Sequence, residues 1–415
     1  MKVYIISAVY LPEPVTSALT SADLAEELVH RGHQVIVFTQ FPNRPSGRVA
    51  HGFKRRWKMV EERAGYVVVH CWHTLSKKSI FLSRTAENIS FAITSSFQLL
   101  KHKKPDIVYM VTWPIFSQSL NSWLLKKRGV PIVCSVQDIY PESLTGKEAI
   151  KPNGWLAKIL RYIDIRHLRR CSIITSISAN MIELLVKDRG LPPEKTKLIP
   201  NWLDGKSFLP ELPRVGKFRH KLGFGPEIFL AIFAGSITKA AGLDLYVKAA
   251  EKLSSKNHIR ILLVGDGSMR EELQKEISAR NLSNIQVIFP LRFEEVPEVH
   301  AAADILLISL SGEMDQTAVP SKLLAYMFSG RPTLASISSG NTAAKILIEA
   351  DAGFVIPPDD PQAVADKLIF LEKNQVILSG LAANAKRYAE NNFSKQVILP
   401  QLVDILEGEL QPKVQ

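Results

Sequence analysis

Short unbroken apolar runs alternate along this chain with longer stretches in which apolar residues recur every three or four positions. Short runs bounded by turn residues predict buried strands, and the longer periodic stretches predict amphipathic helices packed on them. Residues 3–7 predict a strand, residues 17–31 a helix with Leu24, Ala25 and Leu28 on its apolar face, and Gly32 stands where a helix C-terminal cap belongs. Further strands are predicted at 34–39, 66–71, 107–111, 132–136 and 172–176. The pattern then restarts. Residues 229–233 predict a strand ending in Ala234-Gly235, 243–253 a helix, 260–264 a strand closed by Gly265-Asp266-Gly267, and a helix follows through Arg280. Later strands are predicted at 304–309, 333–336 and 354–356. Alternating strands and helices are the signature of parallel α/β sheets.

Two such sets in 415 residues match the usual size of two domains. The reading is an α/β chain of two Rossmann-like domains, residues 1–200 and 201–392, with the Pro- and Gly-rich stretch 200–226 as linker. Residues 393–415 are expected to form a helix returning to the first domain. The apolar stretches 228–234 and 305–310 are far shorter than the roughly 20 residues a membrane span needs. The apolar start, closed by Pro12-Glu13-Pro14, reads as a first strand and not as a secretory leader. Cys71, Cys134 and Cys171 are odd in number and contain no CxxC pair, which argues against a disulfide framework and fits a reducing cytoplasm.

Charge is distributed unevenly. Residues 1–200 carry 29 Lys/Arg against 15 Asp/Glu, a net +14, and the remainder carries 23 against 25, a net −2. A basic half attracts an anionic partner: nucleic acid, an acidic membrane or a phosphorylated substrate. No zinc-finger, helix-turn-helix or aromatic RNA-binding pattern accompanies the charge, so nucleic acid is not expected. The basic residues cluster at 54–58, 101–104 and 126–128. They also lie in 155–170, where Trp155, Leu156, Ile159, Leu160, Ile163 and Leu168 form an apolar stripe beside Lys158, Arg161, Arg166, Arg169 and Arg170. A basic amphipathic helix of this kind fits a membrane interface or ordinary packing on a sheet.

The chemistry is expected at the carboxyl edges of the sheets. After the strand at 229–233 comes Ala-Gly-Ser-Ile-Thr-Lys-Ala-Ala-Gly (234–242). Gly235 and Ser236 let backbone N–H groups approach an anion, and Lys239 adds a full charge. Gly265 and Gly267 form a second small-residue turn, which is neither GxGxxG nor a P-loop. In 319–336, Pro320, Ser321, Lys322 and Leu323 open a helix that closes at Gly330, with Ser321 a candidate cap and Lys322 beside it. His70 and His73, three apart, would point to opposite faces of a strand, so no metal site is expected there, and no cofactor is called for.

The 319–336 segment resembles the nucleotide-sugar signature of the family 4 glycosyltransferases, especially the branch that assembles bacterial surface polysaccharides, such as the fucosamine-type transferases. Residues 10–14, Asp-Ile-Tyr-Pro-Glu-Ser at 138–143, 199–204 with Phe208, 264–267 and 353–359 are similar to other segments of that family. The resemblance implies a GT-B fold, a nucleotide-diphosphate sugar donor (UDP-sugar favoured) on the second domain, and retention of configuration. The basic clusters of the first half suit a membrane-bound, polyprenyl-diphosphate-linked saccharide acceptor and predict peripheral attachment to the cytoplasmic face of an anionic membrane. Donor contacts fall on Gly235, Ser236, Lys239, Gly265, Gly267, Glu313, Pro320, Ser321, Lys322 and Leu323. The acceptor side falls on Pro12, Glu13, Thr16, Ser17, Thr112, Trp113, Gln137 and Tyr140. Asp138, Glu142 and Lys239 are the catalytic candidates. The chain departs from the family at Ala325 and Thr317, where glutamates are common, with Glu313 and Asp315 nearby. Ser236, Ala241 and residues 15–17 also depart from the pattern. Alternatives are a non-catalytic lipid- or partner-binding subunit and a sugar-nucleotide epimerase of the same fold.

Overall fold

The computed structural model describes residues 1–13, 15–44, 47–75, 81–145, 150–205, 212–310 and 322–410. The chain divides into two compact units: Met1–Asn201 with Ile398–Gln415, and Trp202–Val397.

The first unit is built on one sheet of β1 (Lys2–Ile6), β2 (Gln34–Gln40), β3 (Lys58–Arg63), β4 (Tyr66–Cys71), β5 (Ile107–Val111), β6 (Ile132–Val136), β7 (Ile173–Ser176) and β8 (Thr196–Leu198). Its order is β3-β4-β2-β1-β5-β6-β7-β8. All pairings are parallel except β3 with β4. β5 and β6 are buried at every position, as expected for parallel strands covered on both faces. β3 was not anticipated. Its residues Lys-Met-Val-Glu-Glu-Arg alternate between exposed and half-buried, so it has no buried face to betray it. It is an antiparallel edge strand carried by pairing to β4.

The second unit's sheet runs β11 (Ile285–Ile288), β10 (Ile259–Val264), β9 (Phe229–Ala234), β12 (Ile305–Ser309), β13 (Thr333–Ser336) and β14 (Gly353–Ile356), in that order and all parallel. The chain winds outward from β9 to β11, then restarts beside β9 with β12. That reversal is the topological switch point at which ligands bind in doubly wound sheets. The first sheet has the same reversal between β1 and β5.

The stretch read as a linker is partly core. Arg219, in the Lys217–Lys221 helix, is fully buried, and its guanidinium donates to the carbonyls of Ala302 (2.8 Å), Gly225 (3.0 Å) and Ile228 (2.8 Å) and to Asp304 (2.6 Å). A buried cation with this many partners ties the segment into the second unit. Leu203 likewise exchanges backbone hydrogen bonds with Phe393 and Lys395.

Candidate functional site

In the second unit, the expected donor residues that are described gather past the ends of β9 and β10. Gly235 follows β9 at φ 149°, and Gly265 follows β10 at φ 144°. The loops lie directly on each other: Gly235 N–H donates to Val264 O (2.9 Å), Ile237 N–H to Asp266 O (2.8 Å) and Met269 N–H to Ile237 O (3.1 Å). A Cβ on Gly265 would collide with the Gly235 carbonyl, so glycine there serves close loop packing. A Cβ on Gly235 would instead lie 2.9 Å from Cε and Nζ of Lys322.

Lys322 is the first residue of the Lys322–Phe328 helix, and one turn later Tyr326 anchors that helix to β9. The Tyr326 hydroxyl accepts from Ala234 N–H (2.9 Å) and donates to Ala234 O (3.1 Å). Lys322 therefore projects into the space left by Gly235, its Nζ 3.7 Å from the centre of the Phe233 ring. Burial lowers its ammonium to about 7. Among the described residues no carboxylate pairs with it. A cation held out of water, with no carboxylate partner among the described residues, has the character of a phosphate receptor. Ser236 and Lys239 are exposed on the same loop, and Gly267 lies on the partner loop. Leu323 is fully buried and serves packing. Glu313, Asp315, Thr317, Pro320 and Ser321 lie outside the described residues, as do Pro14 and Phe208.

In the first unit, a cavity of about 630 Å³ opens at the carboxyl ends of β1, β5 and β6, lined among others by Ser17, Trp113, Gln137, Asp138 and Tyr140. Gln137 is fixed from several sides: Thr112 Oγ1 accepts from its N–H (3.0 Å), its Nε2 donates to Ser135 (3.1 Å), and Asn201 donates to its Oε1 (3.0 Å). Thr112 thus supports the wall from beneath. Glu13 does not face the cavity. It is buried, burial raises its carboxyl, and its Oε1 accepts from Asn43 N–H (2.8 Å) and Arg44 N–H (2.9 Å). Pro12 is an exposed turn residue, and Thr16 begins the Thr16–His30 helix, whose N-cap, Val15, offers no side-chain acceptor.

The paired catalytic reading of Asp138 and Glu142 separates. Asp138 lines the cavity, whereas Glu142 is ion-paired to the buried Arg189, which also donates to Tyr140 O (3.2 Å). Sequence reading missed Arg44 and Arg84. Arg44 lies 4.2 Å over the Trp113 ring, and its Nε and Nη2 have no hydrogen-bond partner among the described residues. Arg84 pairs with the buried Glu87 at 2.9 Å, and Glu87 also stands 3.9 Å from Arg44. Both arginines line the cavity beside Ser17. They lie 40 positions apart, and no motif joins them.

His70 and His73 are spent on structure. His70 meets Glu61 (2.9 Å) and Gln40 O (3.2 Å), and His73, past the end of β4, meets two backbone carbonyls. Cys134, His167 and Cys171, scattered in sequence, converge in the first unit's interior with ligand atoms within 4.8 Å of one another. Cys134 is held well above the usual thiol range by its hydrogen bond with Cys171 and by burial, and burial lowers His167 to about 3. Both groups are thereby neutral.

Two family descriptions match in succession: "Glycosyltransferase Family 4" over residues 19–206 and "Glycosyl transferases group 1" over 229–374. The chain belongs to the family 4 glycosyltransferases. It is an enzyme that transfers sugar, on the GT-B fold. The glycosyltransferase is 24% identical over 98% of its length to the whole of a protein named as a colanic acid biosynthesis glycosyl transferase, WcaI, of Escherichia coli K12. It is 22% identical over 77% of its length to 81% of the UDP-Gal:alpha-D-GlcNAc-diphosphoundecaprenol alpha-1,3-galactosyltransferase of Escherichia coli. The Anabaena HepE structure in complex with UDP superposes with a TM-score of 0.71 at 16% identity, over 98% of this enzyme and all of that chain.

Proposed function

We propose that this glycosyltransferase moves a sugar, with retention, from a nucleotide-diphosphate donor, UDP-sugars favoured, to a hydroxyl of a polyprenyl-diphosphate-linked saccharide in bacterial surface-polysaccharide assembly. The observation that carries the donor half is Lys322: a desolvated ammonium without a carboxylate partner among the described residues, set against Gly235 at the switch point of the second sheet. As the glycosidic bond breaks, negative charge grows on the leaving diphosphate. Lys322, Lys239 and the exposed Ser236 stabilise that charge in a low-dielectric setting. Glu313, Pro320 and Ser321 are proposed to complete this pocket. Lysine charge takes the part a divalent ion plays elsewhere, so turnover needs no added metal.

The acceptor half rests on the first unit's cavity, where Arg44, Arg84 and the uncapped N-terminus of the Thr16–His30 helix face Asp138 and Trp113. Guanidinium groups and free helix N–H groups select a phosphate, and Asp138 orients the attacking hydroxyl. The diphosphoundecaprenol in a relative's name fits this chemistry. The acceptor lipid calls for peripheral work at the inner face of an anionic membrane.

Titration calorimetry against UDP-, GDP- and dTDP-sugars tests the donor assignment. Lys322→Ala should weaken binding by roughly ten- to a hundredfold, the effect of removing a charge partner worth about 1.5–3 kcal/mol. Arg44→Ala and Asp138→Asn should leave donor affinity alone and lower turnover, which should itself survive EDTA. Parent-like donor binding in Lys322→Ala would sink the assignment.

A further inference from the structure

We propose that the outer face of the Phe81–Lys101 helix is the surface by which this enzyme seats itself on an anionic lipid bilayer. This deepens the proposed function by naming the contact surface, and it rests on the reading that the enzyme works at a membrane.

The helix buries Phe91, Ala92 and Leu99 as a soluble helix should, yet its outer face is apolar as well. From residue 82 to residue 100 its exposed positions are Leu82, Ala86, Ile89, Ile93, Phe97 and Leu100, every one apolar. Spaced by three, four or seven residues for the most part, they share one helical face. Leu82 is 76% exposed, Ile93 56% and Leu100 53%, well beyond the scattered single apolar residues normal on a soluble surface. Polar residues share the inner face with Phe91, Ala92 and Leu99: Glu87, Thr94, Ser95, Ser96 and Gln98 are all buried. Ser95 and Ser96 bond to the neighbouring Ile115–Lys127 helix, and Thr94 donates to Trp72 O (2.6 Å). Ser96 donates to Asn121 Oδ1 (2.7 Å), and Asn121 Nδ2 donates to Ser95 (3.0 Å) and Ser117 (3.1 Å). Helices joined by small and hydroxyl-bearing residues, with Leu, Ile and Phe turned outward, follow the packing logic of a lipid surroundings.

The rim supplies the sign of the lipid. Trp57 is half exposed and meets Phe97 edge-on, with ring centroids 5.9 Å apart, which joins the 54–58 segment to the apolar face. That segment presents exposed Lys54, Arg55, Arg56 and Lys58. At the other side Lys101 lies 4.4 Å over the Phe97 ring, followed by exposed Lys103 and Lys104. The helix's single acid, Glu87, is buried against Arg84. An apolar face with an interfacial Trp and a basic rim matches an acidic bilayer surface. The Trp155–Leu168 helix, the sequence's own candidate, divides its apolar residues. Leu160 and Leu168 are buried, and Arg170 is used on Ser119 O (3.1 Å).

The test is sedimentation of the full chain with vesicles of phosphatidylglycerol and phosphatidylcholine, free of donor and acceptor. The parent should bind acidic vesicles and lose binding in pure phosphatidylcholine or at high salt. Ile93→Ser/Phe97→Ser/Leu100→Ser should lower the partition coefficient at least about tenfold. Trp155→Ser/Ile159→Ser should stay within about threefold of the parent. Brominated lipid should quench the parent's emission, and Trp57→Phe should remove most of that quenching, a readout independent of the triple variant's folding. Undiminished binding in the triple variant, or loss confined to the Trp155/Ile159 variant, overturns the assignment while leaving membrane attachment intact. A parent that binds no vesicle but dimerises through this face assigns it to a second copy and overturns the membrane reading too. Sugar transfer to a detergent-solubilised acceptor is scored separately, so that reading stands or falls on its own.

Discussion

Lys322 keeps its charge at a cost, because Phe233 and the loop around Gly235 replace most of the water it would otherwise hold. Burial brings it to about 7, against 10.5 for a free lysine. A bound diphosphate favours the charged form, so the complex holds the proton more tightly than the free enzyme does. The contribution of Lys322 to affinity is therefore complete below about pH 7 and declines as pH rises above it, by up to about tenfold per unit until the bound ammonium itself titrates. Calorimetry with UDP between about pH 7 and about pH 9, where the diphosphate's own charge is nearly constant, should show this decline and proton uptake on binding. Lys322→Met should bind weakly with a flat profile. A flat profile in the parent would mean that another group carries the charge. Asp138 and Glu142 show the same dependence of role on surroundings: four residues apart in one motif, one faces a cavity and the other is committed to Arg189.

The two loops of the donor site make a sharper demand, since their glycines fail in different ways when replaced. A methyl group on Gly265 meets the backbone carbonyl of Gly235, which cannot retreat without breaking the contact between β9 and β10. A methyl on Gly235 meets the end of the Lys322 side chain, which can swing away. Gly265→Ala should thus destabilise by about 1–3 kcal/mol or more, seen as a lower melting midpoint. Gly235→Ala carries the strain of its positive φ, and its larger effect should fall on nucleotide affinity through the displaced ammonium. Equal effects of both on stability, with affinity unchanged, would contradict this division. The same contrast explains what could be read from the chain. β5, β6, β9 and β12 are continuous buried runs and stand out in any window of sequence. β3 does not, because only its pairing makes it a strand. Gly235 was legible because it sits at a strand-to-helix turn, and Lys322 because it opens a helix at the head of the 319–336 segment. Arg44 and Arg84 were not, since the fold alone brings them together. The Phe81–Lys101 helix has a clear apolar face in sequence, yet only packing reveals that this face is turned outward.

At the scale of the molecule, each unit is a sheet with its own switch point, and the chain does not end in the unit it last builds. Residues from Ile398 onward belong with the first unit. There Asp404 and Glu407 meet Arg31 at 2.8 and 3.2 Å, and Glu407 meets His33 at 2.8 Å. These pairs are partly exposed and contribute at most about 1 kcal/mol each. The apolar side chains weigh more. Ile398, Leu399, Leu402, Val403 and Leu406 are all buried. At about 1.5–3 kcal/mol each, less what the unfolded chain already buries, they approach the whole stability of an ordinary domain. Deleting residues 398–415 should therefore unfold the first unit and spare the second. Thermal melting followed by circular dichroism should lose one transition, and trypsin should digest the first unit while a fragment near Trp202–Val397 persists and still binds UDP. The double substitution Asp404→Asn/Glu407→Gln should by contrast shift the midpoint only slightly, because it removes the ion pairs and keeps the buried side chains. If that double variant were as damaging as the deletion, the helix would be held by its charges. If the deletion melted like the parent, the first unit would be stable without its last helix, and the returning segment would serve to tether the chain.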